Sequence, residues 1–255
     1  MTEHKLLKYL SKTFELPVDN KRLTPVVLTD SKGKYLERYC QNPLENSIKW
    51  WAKPGRNSTE GLEWLKENVK YKIGHLDNIV LYVWFGTCDL TAYDKQTRFI
   101  SIKDQTNETI QKVVNNYQEI AEIVKKYPEV KLTFLAIPPY SIHSWNLYQK
   151  HPDTEQFKSE DDILLKQIQE LNQHIYYINS TLGTRTPNFS TDIQHRINTS
   201  NKNSKKKSQK SIQFSTVQRR HPPHSKFGKS LVKEIIVSNQ NRLLVNHPVP
   251  SYLID

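Results

Sequence analysis

Short apolar runs along the chain predict buried β-strands. Three of these runs are nearly continuous in apolar residues, a pattern that is typical of parallel strands covered on both faces of a sheet. They occupy residues 25–30, 78–85 and 131–137. A weaker run at residues 46–51 predicts one more strand, which Pro54 and Gly55 bring to an end.

Helical periodicity lies between these runs. Residues 108–126 place seven apolar residues on one face of a predicted helix: Ile110, Val113, Val114, Tyr117, Ile120, Ile123 and Val124. Other predicted helices occupy residues 5–14, 34–40, 58–69, 160–182 and 225–239, the third of them capped by Ser58 or Thr59. Strands that alternate with helices predict an α/β fold, a three-layer α/β/α sandwich that is flavodoxin-like, with a mostly parallel central sheet.

The length of 255 residues fits one large domain. We expect this domain to cover residues 25–240, with a helical extension at 1–24 and a tail at 241–255. No apolar run approaches the roughly 20 residues that span a membrane, and the first residues lack the apolar core of a secretion signal. Only two cysteines occur, Cys40 and Cys88, so no disulfide framework is indicated. These features predict an intracellular protein, cytoplasmic or nuclear.

Functional groups in a parallel sheet gather in the loops at the carboxyl ends of the strands. A serine hydroxyl in such a loop becomes a nucleophile when a histidine takes its proton, and the oxyanion that then forms needs preorganised donors. Three such loops, and a fourth before the last predicted helix, carry the sequences Thr29-Asp30-Ser31, Lys53-Pro54-Gly55, Gly86-Thr87-Cys88-Asp89 and His221-Pro222.

In their order and context, these four loops resemble the signature blocks of the SGNH hydrolases, the GDSL-type esterases. The resemblance extends over about residues 26–236 and implies hydrolysis of a small ester. The histidines show no metal-ligand spacing and the two cysteines are far apart in sequence, so no metal or other cofactor is expected. It implies that Ser31 is the nucleophile and His221 the general base. It also implies an oxyanion hole formed by the N–H groups of Ser31 and Gly55 and by the side chain of Cys88. Domains of this kind occur beside reverse-transcriptase-type reading frames in animal retroelements, and the lysine-rich and asparagine-rich composition is compatible with such an origin.

Two departures from the family pattern weaken the expected activity. Cys88 stands where the family has an asparagine, and a thiol is a weaker hydrogen-bond donor than an amide. Gln218 stands where the family has an aspartate, three residues before the histidine, so the imidazole lacks an orienting carboxylate. Asp192 and His195 have the family's aspartate–histidine spacing and form a second candidate pair.

Each candidate also has an interpretation without catalysis. Ser31 can be a helix N-cap and Gly55 a turn residue. Cys88 is either a nucleophile or a small buried residue, the commoner role at such a position. Asp30 and Asp89 are secondary candidates for the site, and Asp89 is expected to hold its loop through backbone hydrogen bonds.

The excess positive charge is confined to one stretch. Eleven of the 37 Lys and Arg residues lie within residues 193–233, which contain no Asp or Glu, so the net charge of +11 arises there. The centre of this stretch predicts a flexible basic insertion at about residues 196–212. Its candidate contacts to nucleic acid or another polyanion are Lys205, Lys206, Lys207 and Lys210. One alternative to an esterase is therefore a catalytically degraded SGNH fold that binds nucleic acid or a protein through this stretch. Another is a purely structural interaction domain, and the stretch itself can also be a solvated loop.

Overall fold

The computed structural model describes residues 23–38, 40, 43–76, 78–187, 194–196 and 212–214. Its strands are β1 (Thr24–Thr29), β2 (Lys49–Ala52), β3 (Ile79–Trp84), β4 (Thr91–Tyr93), β5 (Ile100–Ile102), β6 (Val130–Phe134), β7 (Gln194–Arg196) and β8 (Ile212–Phe214). Its α-helices are α1 (Ser31–Glu37), α2 (Pro43–Asn46), α3 (Ser58–Ile73), α4 (Thr87–Leu90), α5 (Glu108–Val124), α6 (Ile142–Tyr148) and α7 (Lys158–Thr181). The predicted helices at 5–14 and 225–239 and the predicted tail at 241–255 lie outside the described residues.

Four strands form a parallel sheet in the order β2-β1-β3-β6, which confirms the predicted flavodoxin-like arrangement. Thr29 at the end of β1 pairs with Ala52 of β2 on one side and with Trp84 of β3 on the other. Val83 of β3 pairs in turn with Phe134 at the end of β6. This register brings the carboxyl ends of all four strands to the same level, so the loops that follow them lie along one edge of the sheet.

Helices cover both faces of this sheet, which confirms the three-layer architecture. On one face, apolar residues of β1, β3 and β6 form a continuous core with α3, α5 and α7. On the other face, Val27, Val80 and Tyr82 pack with Leu36 of α1. Alternate residues of β1 and β3 belong to opposite faces, and all of them except Thr24 are buried, which explains why the sequence shows continuous rather than alternating apolar runs.

The predicted elements differ from the structure mainly at their ends and in the shortest pieces. The second strand begins at Lys49 rather than at residue 46, because the preceding residues form the short helix α2. The N-cap of α3 is Asn57, whose side chain accepts from the Glu60 N–H at 2.9 Å, so the expectation of Ser58 or Thr59 is wrong. The β4–β5 hairpin, α4 and α6 were not predicted, because such short elements carry too few residues to show a period.

Two asparagine side chains of α7 pair with the backbone at the end of β6 and just beyond it. Asn179 of α7 accepts from the N–H of Phe134 at 2.9 Å and donates to its carbonyl at 2.7 Å. Asn172, two turns earlier, makes the same pair of bonds with Ile137, at 2.7 and 2.9 Å. Among the described strands β6 lies at the edge of the sheet. The two amides therefore act as a substitute for the missing strand.

We expect Asn179→Ala to destabilise the fold. The substitution leaves the N–H and carbonyl of Phe134 buried without partners, and each such group costs roughly 1–3 kcal/mol. Urea unfolding monitored by circular dichroism gives the change in the free energy of unfolding. Asn115→Ala, on the exposed side of α5, is the matched control and should change stability by less than about 0.5 kcal/mol. Equal effects of the two substitutions would contradict this role of Asn179.

Candidate active site

The loops after β1, β2 and β3 meet at the carboxyl edge of the sheet. Thr29 ends β1, and its Oγ1 donates to the carbonyl of Trp84 at the end of β3, at 2.9 Å. The carbonyl of Thr29 accepts from the N–H of Lys53, which follows β2, at 3.2 Å. The three loops in which the sequence places Ser31, Gly55 and Cys88 are therefore held side by side.

Ser31 is the first residue of α1 and follows β1 directly. The helix is capped by Asp30, whose Oδ1 accepts from the N–H of Lys32 at 2.8 Å. The alternative interpretation of Ser31 as the N-cap is therefore wrong, and capping does not occupy its hydroxyl. The Asp30 side chain is buried, whereas Ser31 is partly exposed.

Gly55 lies in an exposed turn with a positive φ of 74°. The turn is closed by a hydrogen bond from the N–H of Arg56 to the carbonyl of Lys53, at 3.2 Å. A residue with a Cβ is strained at this φ, so the backbone favours glycine here. The turn interpretation of Gly55 is confirmed, and its part in an oxyanion hole stays a prediction.

Asp89 joins the loop after β3 to the start of α3. Its buried carboxylate accepts from the N–H and the Oγ of Ser58, at 3.0 and 2.6 Å, and from the N–H of Gly86 at 3.1 Å. Asn116 of α5 donates to the same Ser58 hydroxyl at 2.8 Å. Burial raises the pKa of the Asp89 carboxyl, and the hydrogen bonds from Ser58 and Gly86 oppose that rise. The interpretation of Asp89 as a residue that holds its loop is confirmed.

Gly86 starts the turn into α4 with a φ of 118°. A Cβ at this position would lie 2.1 Å from Cδ1 of Ile137 and would be strained at this φ, so a larger residue would force Ile137 to shift. The close packing fixes the course of the loop that carries Cys88 and Asp89.

Cys88 is a free thiol that lies against Asp30. Its Sγ is 3.5 Å from Oδ2 of Asp30, within the range of a weak S–H donor. Burial and, to a smaller extent, the negative charge of Asp30 raise the pKa of the Cys88 thiol to about 12. The thiol is therefore protonated at neutral pH, which favours the small buried residue over the nucleophile.

Lys32 is a site residue that the sequence analysis did not single out. Its ammonium pairs with Oδ2 of Asp30, the same oxygen that the Cys88 thiol contacts. It also lies 3.5 Å from Oγ1 of Thr87 and 5.1 Å from the ring centre of Trp84. The sequence does contain a signal for it. Asp30 ends a strand that is predicted to be buried, and a buried charge needs a partner, so the cation two residues later is a candidate.

An open hollow of about 530 Å³ lies beside the Gly55 turn, between Lys53, Arg56 and the exposed side of α3. Arg56 is buried, stacks over the Trp64 ring at 5.0 Å and donates to the carbonyl of Trp51 at 3.0 Å. Trp51 itself contacts Trp64, with ring centres 5.3 Å apart. The contacts among Trp51, Arg56 and Trp64 hold β2 against α3, and Arg56 and Trp64 form one wall of the hollow.

Several predicted site residues lie outside the described part of the chain: His221, Gln218, Asp192, Lys205, Lys206, Lys207 and Lys210. The predicted insertion at 196–212 is described only at its ends. There β7 pairs antiparallel with β8, and His195 stands opposite Gln213. The pairing of Ser31 with a histidine therefore stays a prediction.

Within the described residues, no helix has the length and apolar character to cross a membrane. The same residues contain no cluster of three or more His, Cys, Asp or Glu side chains that could hold a metal ion.

No family model and no curated protein matches the chain. Solved structures do match it, and three of them align over most of both chains. A protein assigned as an acylhydrolase from Bacteroides fragilis is 13% identical with a TM-score of 0.57, and 94% of this chain aligns with 97% of that one. A GDSL-like lipase from Bacteroides thetaiotaomicron is 12% identical with a TM-score of 0.51, at coverages of 96% and 98%. A lipase from a goat rumen metagenome is 18% identical with a TM-score of 0.53, at coverages of 87% and 99%.

At these identities the likeness shows the fold. The chain has the three-layer α/β/α fold found in GDSL-like lipases and acylhydrolases, as the resemblance of its four loops implies. A shared fold does not by itself give the activity, which depends on the residues at the sheet edge.

The high pKa of Cys88 predicts that this thiol resists alkylation. In a Cys40→Ser variant, which leaves Cys88 as the sole thiol, we expect iodoacetamide at pH 8 to react at least about 100-fold slower than with the unfolded chain, because the thiolate is the reactive form. The rate should rise only as the pH approaches 12. Intact-mass spectrometry measures the rate of alkylation. Rapid alkylation of the folded protein at pH 8 would contradict this prediction and support the interpretation of Cys88 as a nucleophile.

Proposed function

We propose that the protein is a serine hydrolase that cleaves small acyl esters, with Ser31 as the nucleophile and His221 as the general base. The observation that carries the proposal is the position of Ser31. It is the first residue of a helix that follows a parallel strand, at the sheet edge where the loops of Gly55 and Cys88 also lie. The fold found in GDSL-like lipases and acylhydrolases supports the same reaction.

Backbone donors for an oxyanion are present in two of these loops. In α1, the N–H of Lys32 is bound by the Asp30 side chain and that of Gly33 by the Asp30 carbonyl, at 3.3 Å. The N–H of Ser31 precedes both and has no acceptor within the helix. In the second loop, the turn bond uses the N–H of Arg56 and leaves that of Gly55 outside the turn. Both groups support the oxyanion hole that the resemblance implies.

The reaction proceeds in two steps. The Ser31 oxygen attacks the ester carbonyl carbon while its proton passes to His221, and the resulting tetrahedral oxyanion collapses with loss of the alcohol, which takes that proton. Water then hydrolyses the acyl-serine with the histidine as base, which releases the acid and restores the hydroxyl. Gln218 in place of an aspartate leaves the imidazolium less stabilised, so we expect turnover well below that of a complete triad.

Ser31→Ala tests the proposal directly. We expect kcat/KM for a short-chain 4-nitrophenyl ester to fall by about 10³-fold or more, because the acyl-serine can no longer form. Ser180→Ala, at an exposed position of α7, is the matched control and should leave the rate unchanged. His221→Ala should match Ser31→Ala, since the two residues act as a unit. If His195→Ala causes this loss and His221→Ala does not, His195 of the second candidate pair is the base. Identical rates for wild type and Ser31→Ala would contradict the proposal that the protein is an enzyme.

The confined positive charge favours a second activity, the binding of nucleic acid or another polyanion by residues 193–233. We expect RNA and single-stranded DNA to bind with an affinity that falls steeply with salt, because bound lysines release counterions from phosphates. Replacing Lys205, Lys206, Lys207 and Lys210 by Gln should lower the affinity and flatten the slope by roughly 0.7 per lost phosphate contact on a single strand.

The control removes the same charge elsewhere. Four exposed lysines outside the stretch, Lys95, Lys112, Lys125 and Lys126, are replaced by Gln in one variant. Fluorescence anisotropy at two salt concentrations compares the two variants with wild type. If both variants lose affinity equally, net charge rather than the basic stretch causes the binding, and this second activity is rejected.

A further inference from the structure

The side chain of Asp30 is buried, with 1% exposure, and two groups converge on one of its oxygens. The ammonium of Lys32 and the thiol of Cys88 both contact Oδ2, while Oδ1 caps α1. Two members of this cluster, Asp30 and Lys32, flank Ser31 directly in sequence, so the cluster lies beside the proposed nucleophile. It therefore sets the charge and the donors around the proposed nucleophile.

Cys88 does not supply the side-chain donor that its position in the loop suggests. Its S–H group is directed to Asp30, at 3.5 Å, and a thiol donates weakly. The side chain is also shorter than an asparagine, whose amide would reach further. An oxyanion formed at Ser31 thus meets no strong donor from residue 88.

Lys32 places a strong donor beside this gap. Its ammonium has three N–H groups, of which Asp30 takes one and Thr87 lies at the 3.5 Å limit for a second. The side chain is 15% exposed, so it is mostly buried but still accessible to solvent. Contact with the Trp84 ring, at 5.1 Å, fixes the ammonium from another side.

We propose that Lys32 is the third oxyanion donor of the site, in place of the asparagine that Cys88 replaces. This inference rests on the proposed function of Ser31. When the Ser31 oxygen bonds to the carbonyl carbon, the carbonyl electron pair moves to oxygen, and an N–H group of the Lys32 ammonium donates to that oxygen. The pair returns to the carbonyl as the bond to the alcohol breaks. Lys32 gives up no proton, so its role is electrostatic.

The other explanation of Lys32 is that it only neutralises Asp30. A single Lys32→Met change cannot separate the two roles, because it leaves a buried carboxylate alone. The double variant Asp30→Asn, Lys32→Met removes both charges, and asparagine keeps the cap on α1 because its Oδ1 still accepts from residue 32. If neutralisation is the only role of Lys32, this variant retains activity.

The test compares this double variant with two triple variants that add Cys88→Asn or Cys88→Ala. We expect kcat/KM for the nitrophenyl ester to fall by about 10²–10³-fold in the double variant, the usual loss for one oxyanion donor. Cys88→Asn should restore the rate to within about tenfold of wild type, because it supplies an amide donor, whereas Cys88→Ala should not. The role of Lys32 is overturned if the double variant retains its activity. It is also overturned if the two triple variants recover activity equally, or if neither recovers any.

A second readout separates this inference from the proposed ester hydrolysis. An alkyl fluorophosphonate forms a tetrahedral adduct on an activated serine, and intact-mass spectrometry gives its rate of formation. Suppose that wild type is labelled at Ser31, that the labelling rate falls when Lys32 is replaced, and that wild type hydrolyses no ester. The role of Lys32 then stands and the proposed function fails. If wild type hydrolyses the ester and labels regardless of Lys32, the function stands and Lys32 does not act. If wild type neither labels nor hydrolyses, both are rejected.

Thermal melting of each variant accompanies the kinetics. Should the double variant not fold, Lys32→Gln replaces it, since glutamine keeps a neutral donor toward Asp30. The same pair of changes at Cys88 is then made in the Lys32→Gln background. The expected order of rates is unchanged, with Cys88→Asn above Cys88→Ala, and the reverse order or equal rates overturns the proposal.

Discussion

The carboxylate of Asp89 connects three parts of the chain that the backbone alone would leave independent. It accepts hydrogen bonds from Ser58 at the start of α3 and from Gly86 after β3, and Asn116 of α5 reaches the same cluster through the Ser58 hydroxyl. A buried carboxylate is tolerated only when donors surround it. The cluster therefore adds a direct connection between the loops that follow β2 and β3, beyond the bonds that Thr29 makes to both strand ends.

The parallel register fixes the positions of the strand ends relative to one another. Because Thr29, Ala52 and Trp84 stand side by side, any residue one or two positions beyond a strand end lies at the same edge of the sheet. The amide of Asn172 extends this order to the loop after β6 by pairing with the backbone of Ile137. Ile137 in turn packs against Gly86, so the loop after β6 limits the space around the loop that carries Cys88.

The sequence was sufficient for the elements whose signal is local. Continuous apolar runs located β1, β3 and β6, and a periodic apolar face located α5, because burial imposes these patterns directly on the sequence. The position of Ser31 at a strand end followed from the same pattern. Caps were predicted less well, since Asp30 and Asn57 compete with neighbouring serines that have similar capping preference.

What the sequence could not give depends on distant contacts. The pairing of Asn179 with Phe134 joins residues 45 apart, and that of Ser58 with Asp89 joins residues 31 apart. No period or motif marks such bonds, because they arise only once the helices have packed on the sheet. Gly55 could not be assigned one role from the sequence either, because a glycine suits both a turn and a backbone N–H donor to an oxyanion. Its positive φ is evidence for the turn and does not test the donor role.

The pair of Asp30 and Lys32 is the feature of the site that stability explains least. Removing two charges from water costs several kcal/mol per ion, and replacing such a pair by apolar residues is often neutral or stabilising. A helix start needs only the cap that Asp30 provides, and an uncharged asparagine would serve it equally well. The core on this face is otherwise apolar, with Val27, Tyr82 and Leu36 nearby in the same cluster. In the proposed hydrolysis, the pair gives polarity to the surroundings of Ser31, where a negative charge would develop during acyl transfer.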